Sequence, residues 1–261
     1  MIGSIKNKWN LTAAGRDMVN IFADLDAVFA LEGQQITQDR VSDVIKIEHN
    51  QIYYYVKRYI CAGKGLRYFI GKPRVQNEWE NLIWFAKWGI PTANLIGFGF
   101  EKKWGLVHRG AIITQEIPDT QDLAQMATQD CLPDNASIQL ICAQLAKYTR
   151  TLHAHQFIHN DLKWRNILID KLNQVYLIDC PLGDFWHGPF LSYRIVKDLK
   201  NLDILAKKYL TRAQRMRFFL NYVNSPHLTE ESKSLLMRVL RRRSRRYDKQ
   251  SNLSLLLNKS Y

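Results

Sequence analysis

The apolar positions of "VSDVIKIEHNQIYYYVKRYI" (Val41–Ile60) are mostly β-branched and aromatic. This pattern predicts two strands joined by a turn at His49-Asn50-Gln51. A helix is predicted over Val75–Trp88, stopped by Gly89 with Pro91 just beyond. Next, "LIGFGFEKKWGLVHRGAIITQEI" reads as a second hairpin whose strands are parted by Lys102–Gly105. From Asp134 the rhythm changes. Ile138, Ile141, Cys142, Leu145, Tyr148, Thr149 and Leu152 recur at i, i+3, i+4 and i+7, the spacing of one buried helical face. Asp134, Asn135 and Ser137 are candidate N-caps for that helix. Further helices are expected over Ser192–Tyr209, Arg212–Asn224 and Thr229–Tyr247. The expected architecture is α+β and two-lobed. A small β-rich lobe over residues 1–117 precedes a mostly helical lobe over residues 118–261.

Composition narrows the class. With 261 residues and 46% hydrophobic content, the chain can bury a substantial core. No apolar run approaches the ~18–20 residues of a membrane-spanning helix. The first residues, "MIGSIKNKWNLTAAGRD", lack the apolar block of a signal peptide. Cys61, Cys131, Cys142 and Cys180 form no C-x-x-C pair, so neither a disulfide framework nor a zinc site is expected. A reducing, cytoplasmic compartment follows as the expectation. The formal charge of +13 favours a polyanionic partner: nucleic acid, an anionic membrane face or a phosphorylated substrate.

The chemistry is concentrated in "FIHNDLKWRNILID" (Phe157–Asp170). Phosphoryl transfer asks a protein mainly for positioning and charge neutralisation. A kinase supplies a loop Asp that orients the attacking hydroxyl, an Asn five residues on that binds magnesium, and a second metal-binding Asp beyond a short hairpin. Asp161, Asn166 and Asp179 fit those three places, and Lys163 is set to meet the transferring phosphate. "NILID" and "VYLID" supply the hairpin around Lys171-Leu172-Asn173-Gln174. A strand lysine for the α- and β-phosphates is also required, with a helix glutamate to hold it. Lys57 in "YYYVKRYI" is the candidate, with Arg58 as its outward-facing neighbour. Glu78 is the preferred partner and Glu80 the alternative. With Thr114 ahead of the inter-lobe connection, the Gln115 carbonyl and the Ile117 amide are placed to meet an adenine edge, before Pro118 turns the chain.

Several positions depart from the protein-kinase pattern. Asn160 stands where regulated kinases carry arginine, which removes the partner of a phosphorylated loop. Cys180-Pro181, not Phe-Gly, follows Asp179. No G-x-G-x-x-G precedes Lys57; in "ALEGQQITQDR", the expected covering segment ahead of it, Gly33 is the only glycine. There is no A-P-E, and the segment after Asp179 leaves little room for a protein-substrate platform. These departures point away from a conventional protein kinase.

The chain resembles the lipopolysaccharide core kinases, the Kdo/WaaP-type sugar kinases of protein-kinase-like fold. The likeness runs from about Tyr53 to Tyr222. It rests on "NEWENLIWFAKWGIPTANLIGFGFE", "AIITQEIPDTQDL", "LHAHQFIHNDLKWRNILI" and "IVKDLKNLDIL". The resemblance selects Glu78 as the partner of Lys57 and makes Asp198 a helix acid bracing the catalytic loop. It implies ATP and Mg2+ as cofactors, and as substrate a heptose or Kdo hydroxyl of the lipopolysaccharide inner core. A small-molecule or atypical protein kinase, or a pseudokinase-like binding module, is the alternative.

The C-terminal segment "SLLMRVLRRRSRRYDKQSNLSLLL" sets Arg238, Arg241, Arg242, Arg243, Arg245, Arg246 and Lys249 against Asp248 alone. On a helix, Leu235, Leu236, Val239 and Leu240 form an apolar face. Such a segment suits the anionic inner-membrane surface, each basic residue there contributing about 1 kcal/mol. It also suits the anionic groups of a lipid-linked core saccharide, and its leucines alternatively pack on the large lobe. No aromatic stacking array accompanies the charge, so nucleic acid is not expected as a partner.

Overall fold

The computed structural model describes residues 8–60, 72–104 and 106–241. Its first half is one antiparallel sheet in the order β1-β5-β6-β4-β3-β2. The strands are β1 (Lys8–Leu11), β2 (Gln34–Gln38), β3 (Ser42–His49), β4 (Ile52–Tyr59), β5 (Leu95–Lys103) and β6 (Leu106–Gln115). The two expected hairpins are present, with strands running further into their turns than predicted. Asn50 and Gln51 alone turn β3 into β4, both at positive φ (51° and 62°), as a tight two-residue hairpin requires. In the other hairpin β5 continues through Lys103, one residue past the start of the expected turn.

Alternation along β4 explains how the sheet is covered. Tyr54 and Val56 face one layer, with Ala111 and Ile113 beside them. Met18, Phe22, Leu25 and Val28 pack there, from a 3-10 turn (Ala13–Met18), the segment that follows it and α1 (Leu25–Ala30). Sequence periodicity missed this N-terminal layer because its elements are too short to show a period. The opposite face carries Tyr59 and Ile112 and receives Val75 and Trp79 of α2 (Arg74–Lys87). α2 ends as predicted, with Trp88 as C-cap and Gly89 at φ 66°.

The second half is helical. α3 (Leu123–Thr128), α4 (Asn135–Ala154), α5 (Gly188–Tyr209), α6 (Arg212–Val223) and α7 (Glu230–Arg241) surround two small sheets. One holds β7 (Thr120–Asp122), β9 (Ile167–Asp170) and β10 (Val175–Leu177); the other pairs β8 (Phe157–Ile158) with β11 (Asp184–Phe185). The predicted face of α4 is buried throughout, and the Asp134 carboxylate caps the Ala136 and Ser137 amides. α5 begins at Gly188, a turn earlier than expected, because Pro189 fits the first turn of a helix, where no amide is needed. α6 starts on a Thr211–Gln214 capping box and ends with Asn224 at φ 54°.

The two halves share a core. Phe85 of α2 is fully buried in the same cluster as Leu152, Phe157, Leu162 and Leu177 of the helical half. Its ring meets Phe157 edge-on at 5.9 Å. α2 therefore belongs mechanically to both halves, and it carries Glu78. Of the predicted apolar face of α7, Val239 is buried and Leu235 and Leu236 pack on the helical half, whereas Leu240 is exposed. The basic residues from Arg242 onward, and Cys61, lie outside the described residues.

Candidate active site

β4 lifts Lys57 from the sheet face that also carries Tyr55 and Tyr59, opposite Ile112 of β6. The ammonium meets Glu78 at 3.0 Å and Asp179 at 2.8 Å. Arg58 points to the other face, where it binds Asp43 and the carbonyls of Phe29 and Leu31. Glu80 stays near the surface with Lys72 and Gln76, so Glu78 is the partner. Burial alone would push the Lys57 ammonium down; Glu78, with Asp179 also beside it, outweighs this and holds it well above the ordinary lysine range. The network has one member that sequence reading passed over. The Tyr59 hydroxyl donates to Glu78 Oε2, and burial beside that carboxylate keeps the phenol protonated. Its signal was present, since the residue two beyond a strand lysine shares its face.

Asp161 follows β8 and Asn160, which sits at φ 63°. Its carboxylate takes Lys163, Arg165 at 3.3 Å and the Asn166 amide at 3.2 Å. Burial works to raise the Asp161 carboxyl, but Lys163, with help from Arg165, brings it below the usual aspartate value. The turn Trp164–Asn166 is pinned from below, because Trp164 is buried and its indole N–H donates to Leu202 O at 3.0 Å. Asn166 O accepts the Ile178 amide at 3.1 Å, which sets Asn166 beside Asp179. Asp198 on α5, fully buried, accepts the His159 amide at 2.9 Å and so meets the loop from behind.

The departures from the protein-kinase pattern have structural counterparts. Cys180 is fully buried, and burial pushes its thiol well up, so it fills space as an apolar side chain. The loop after Asp179 is held by three asparagines. Asn77 donates to Pro181 O (3.1 Å) and Gly183 O (2.8 Å), and Asn81 to Cys180 O (2.7 Å) and Gly183 O (3.1 Å). Asn160 donates to Leu182 O at 2.8 Å. Gly183 permits this approach: a Cβ there would lie 2.4 Å from Cys180 Sγ and 2.5 Å from the Phe157 ring. No spacing rule pointed to Asn77 or Asn81, which lie on α2 either side of Glu78 and Trp79.

The hairpin formed by β2 and β3, ahead of Lys57, turns at Asp39-Arg40-Val41. Gly33 lies just before β2, where a Cβ would strike Lys46 O at 2.6 Å. The Asp39 carboxylate accepts the Val41 and Ser42 amides at 2.6 and 2.8 Å. Those amides are thus engaged within the turn, unlike those of a glycine-rich phosphate loop. At the predicted connection, the Gln115 amide donates to Asn94 O and the Glu116 amide to Tyr53 O. Thr120 donates to Ile117 O at 2.8 Å. Glu116 accepts from Lys46 (2.7 Å) and Tyr55 (3.0 Å), tying the connection to the sheet.

A divalent cation suits this donor set. Asp179 has a second carboxylate oxygen beyond the one at Lys57, and Asn166 spends its amide N–H on Asp161, leaving its side-chain carbonyl oxygen. One or two such hard oxygens, completed by phosphates and water, are what Mg2+ asks of a protein.

A β-sheet half and a helical half joined around this constellation form a two-lobed, protein-kinase-like fold. Residues 25–222 match the lipopolysaccharide kinase (Kdo/WaaP) family, and the chain belongs to it. It is 27% identical over 150 residues to a 3-deoxy-D-manno-octulosonic acid kinase of Haemophilus influenzae, covering 54% of this chain and 56% of that one. A Photobacterium profundum protein of the same description is 33% identical over 93 residues, 34% of this chain and 37% of its own length. One from Mannheimia succiniciproducens is 29% identical over 137 residues, 49% of this chain and 50% of its own. The chain spans about half the length of the curated relatives it matches most extensively.

Proposed function

We propose that this protein is an ATP-dependent kinase that phosphorylates a sugar hydroxyl, on Kdo or a heptose, in the lipopolysaccharide inner core. The observation that carries this reading is the joined set of ion pairs: Lys57 with Glu78 and Asp179, beside the Asp161–Asn166 loop. The names of the relatives favour an octulosonic acid as the acceptor sugar.

Lys57, fixed by Glu78, binds the α- and β-phosphates once nucleotide displaces it from Asp179. Gln115 and Ile117 receive the adenine edge through their backbone. Asn166 and Asp179 would hold Mg2+, which when bound neutralises charge on the phosphates. Asp161, ionised at neutral pH, orients the acceptor hydroxyl and takes its proton as the oxygen attacks the γ-phosphorus. Lys163 meets the negative charge of the transferring phosphoryl group. A binding module would have no use for all of these groups at once.

No helix among the described residues is long and apolar enough to cross a membrane. We place the protein in the cytoplasm, peripheral at the inner face of the inner membrane, where the basic C-terminal segment meets anionic lipid and the lipid-linked acceptor is presented. The test is mass spectrometry of core glycans from a strain lacking the gene, complemented with wild type or Asp161→Ala. Core phosphate is expected to be lost in the deletion and restored only by wild type. Unchanged core phosphate in the deletion would overturn the reading.

A further inference from the structure

Two cations stand at the Asp161 carboxylate, and a third holds the residue before it. Lys163 and Arg165 both contact Asp161. Arg194 of α5 donates to Asn160 Oδ1 at 2.8 Å, and its guanidinium carbon lies 4.1 Å from the Trp186 ring centroid, a cation–π contact. Lys163 has a use in the proposed transfer. Arg165 and Arg194 have none there, and a neutral sugar hydroxyl needs only Asp161.

Holding the fold does not account for Arg165. Its side chain is 63% exposed, and its contact with Asp161 is a long one, 3.3 Å, between residues four apart. Exposed pairs of this kind contribute little to stability. Yet its position is well defined, because Trp164 and Asn166 on either side are both buried and anchored. The chain thus presents a guanidinium at the mouth of the site, within one sugar ring's span of the carboxylate that receives the reacting hydroxyl. A guanidinium matches a carboxylate as a two-pronged fork, which an ammonium cannot do.

Building on the kinase reading above, we propose that Arg165 binds a carboxylate borne by the acceptor ring, with Arg194 adding positive field, so that the site selects a sugar acid over a neutral heptose. Without acceptor, Arg165 rests on Asp161. When the acceptor arrives, Arg165 exchanges that carboxylate for the substrate's and leaves a lone pair of Asp161 open to the hydroxyl. Arg165 is then a specificity-determining residue as well as a neighbour of the base.

The experiment compares the methyl glycoside of the sugar acid with the methyl ester of the same glycoside, which keeps every hydroxyl and removes the charge. Wild type is expected to use the acid on the order of 10- to 100-fold better in kcat/KM. Arg165→Gln is expected to collapse that preference towards unity through KM for the acid, with KM for ATP unchanged. Arg165→Lys should retain part of it. Equal losses on acid and ester would mean that Arg165 acts only through Asp161, and would overturn the proposal. Binding of the acid without ATP, followed by saturation-transfer NMR, separates the two readings. Binding that depends on Arg165 with no phosphate transfer would refute the kinase and keep the carboxylate site. Transfer with equal binding by wild type and Arg165→Gln would do the reverse.

Discussion

Lys57 and Asp161 each sit in a network of ion pairs, and the two networks are built differently. Around Lys57 the partners come from three separate elements, β4, α2 and the segment after β10, and Glu78 and Tyr59 are buried. Around Asp161 every charged partner comes from the same loop within four residues, and the cations are open to solvent, Lys163 at 42% and Arg165 at 63% exposed. On the proposed reading the difference suits what each would bind. A nucleotide holder fixed by long-range packing sits in a low-dielectric setting where each charge counts heavily. A short exposed loop at the acceptor can be altered without disturbing a core.

That contrast is open to attack at either end. The largest effect is expected from Asp161→Ala: a fall in kcat of about 100- to 10,000-fold, with KM for ATP near its wild-type value, since a general base commonly contributes that much. Glu78→Gln should come next. It leaves Lys57 with only Asp179, so KM for ATP should rise on the order of 10-fold and kcat should fall with it. A change in acceptor KM alone would contradict the assignment. Asn81→Asp turns a buried donor to two carbonyls into an acceptor facing them, at a cost of about 1–3 kcal/mol. Because the loop it holds carries Asp179, Tm and the apparent affinity for Mg-ATP should drop together, whereas acceptor KM should hold. The smallest change is pH dependence. Asp161 is held below its ordinary range, so its charged form persists as pH falls. The rate should stay flat from pH 7 to about 5, above the ~3.9 of an unperturbed aspartate. An acid limb near pH 6 would point to a different base.

The two networks also differ in how far they could be read in advance. That Asp161, Lys163, Asn166 and Asp179 come together was legible because their spacing along the chain sets one loop and one hairpin. Lys57 came from its β-forming neighbours, and Glu78 was preferred over Glu80 from helix position and the resemblance; the geometry agrees, since Glu78 meets Lys57 and Glu80 faces Lys72. What stayed hidden depends on tertiary approach. Asn77 and Asn81 reach a loop about a hundred residues away, through backbone carbonyls that carry no sequence signal. The turn at Asp39 was obscured because a carboxylate, not a glycine, closes it. The layer from β1 to α1 was missed because its short elements gain their order by packing on the sheet.

The central claim is that the assembled cleft moves a phosphoryl group from ATP to a core sugar. Incubating purified protein with γ-labelled ATP, Mg2+ and inner-core lipopolysaccharide tests it most directly. The account predicts label on a core sugar with wild type and none with Asp161→Ala. Absence of transfer to every core acceptor by folded wild-type protein would contradict it.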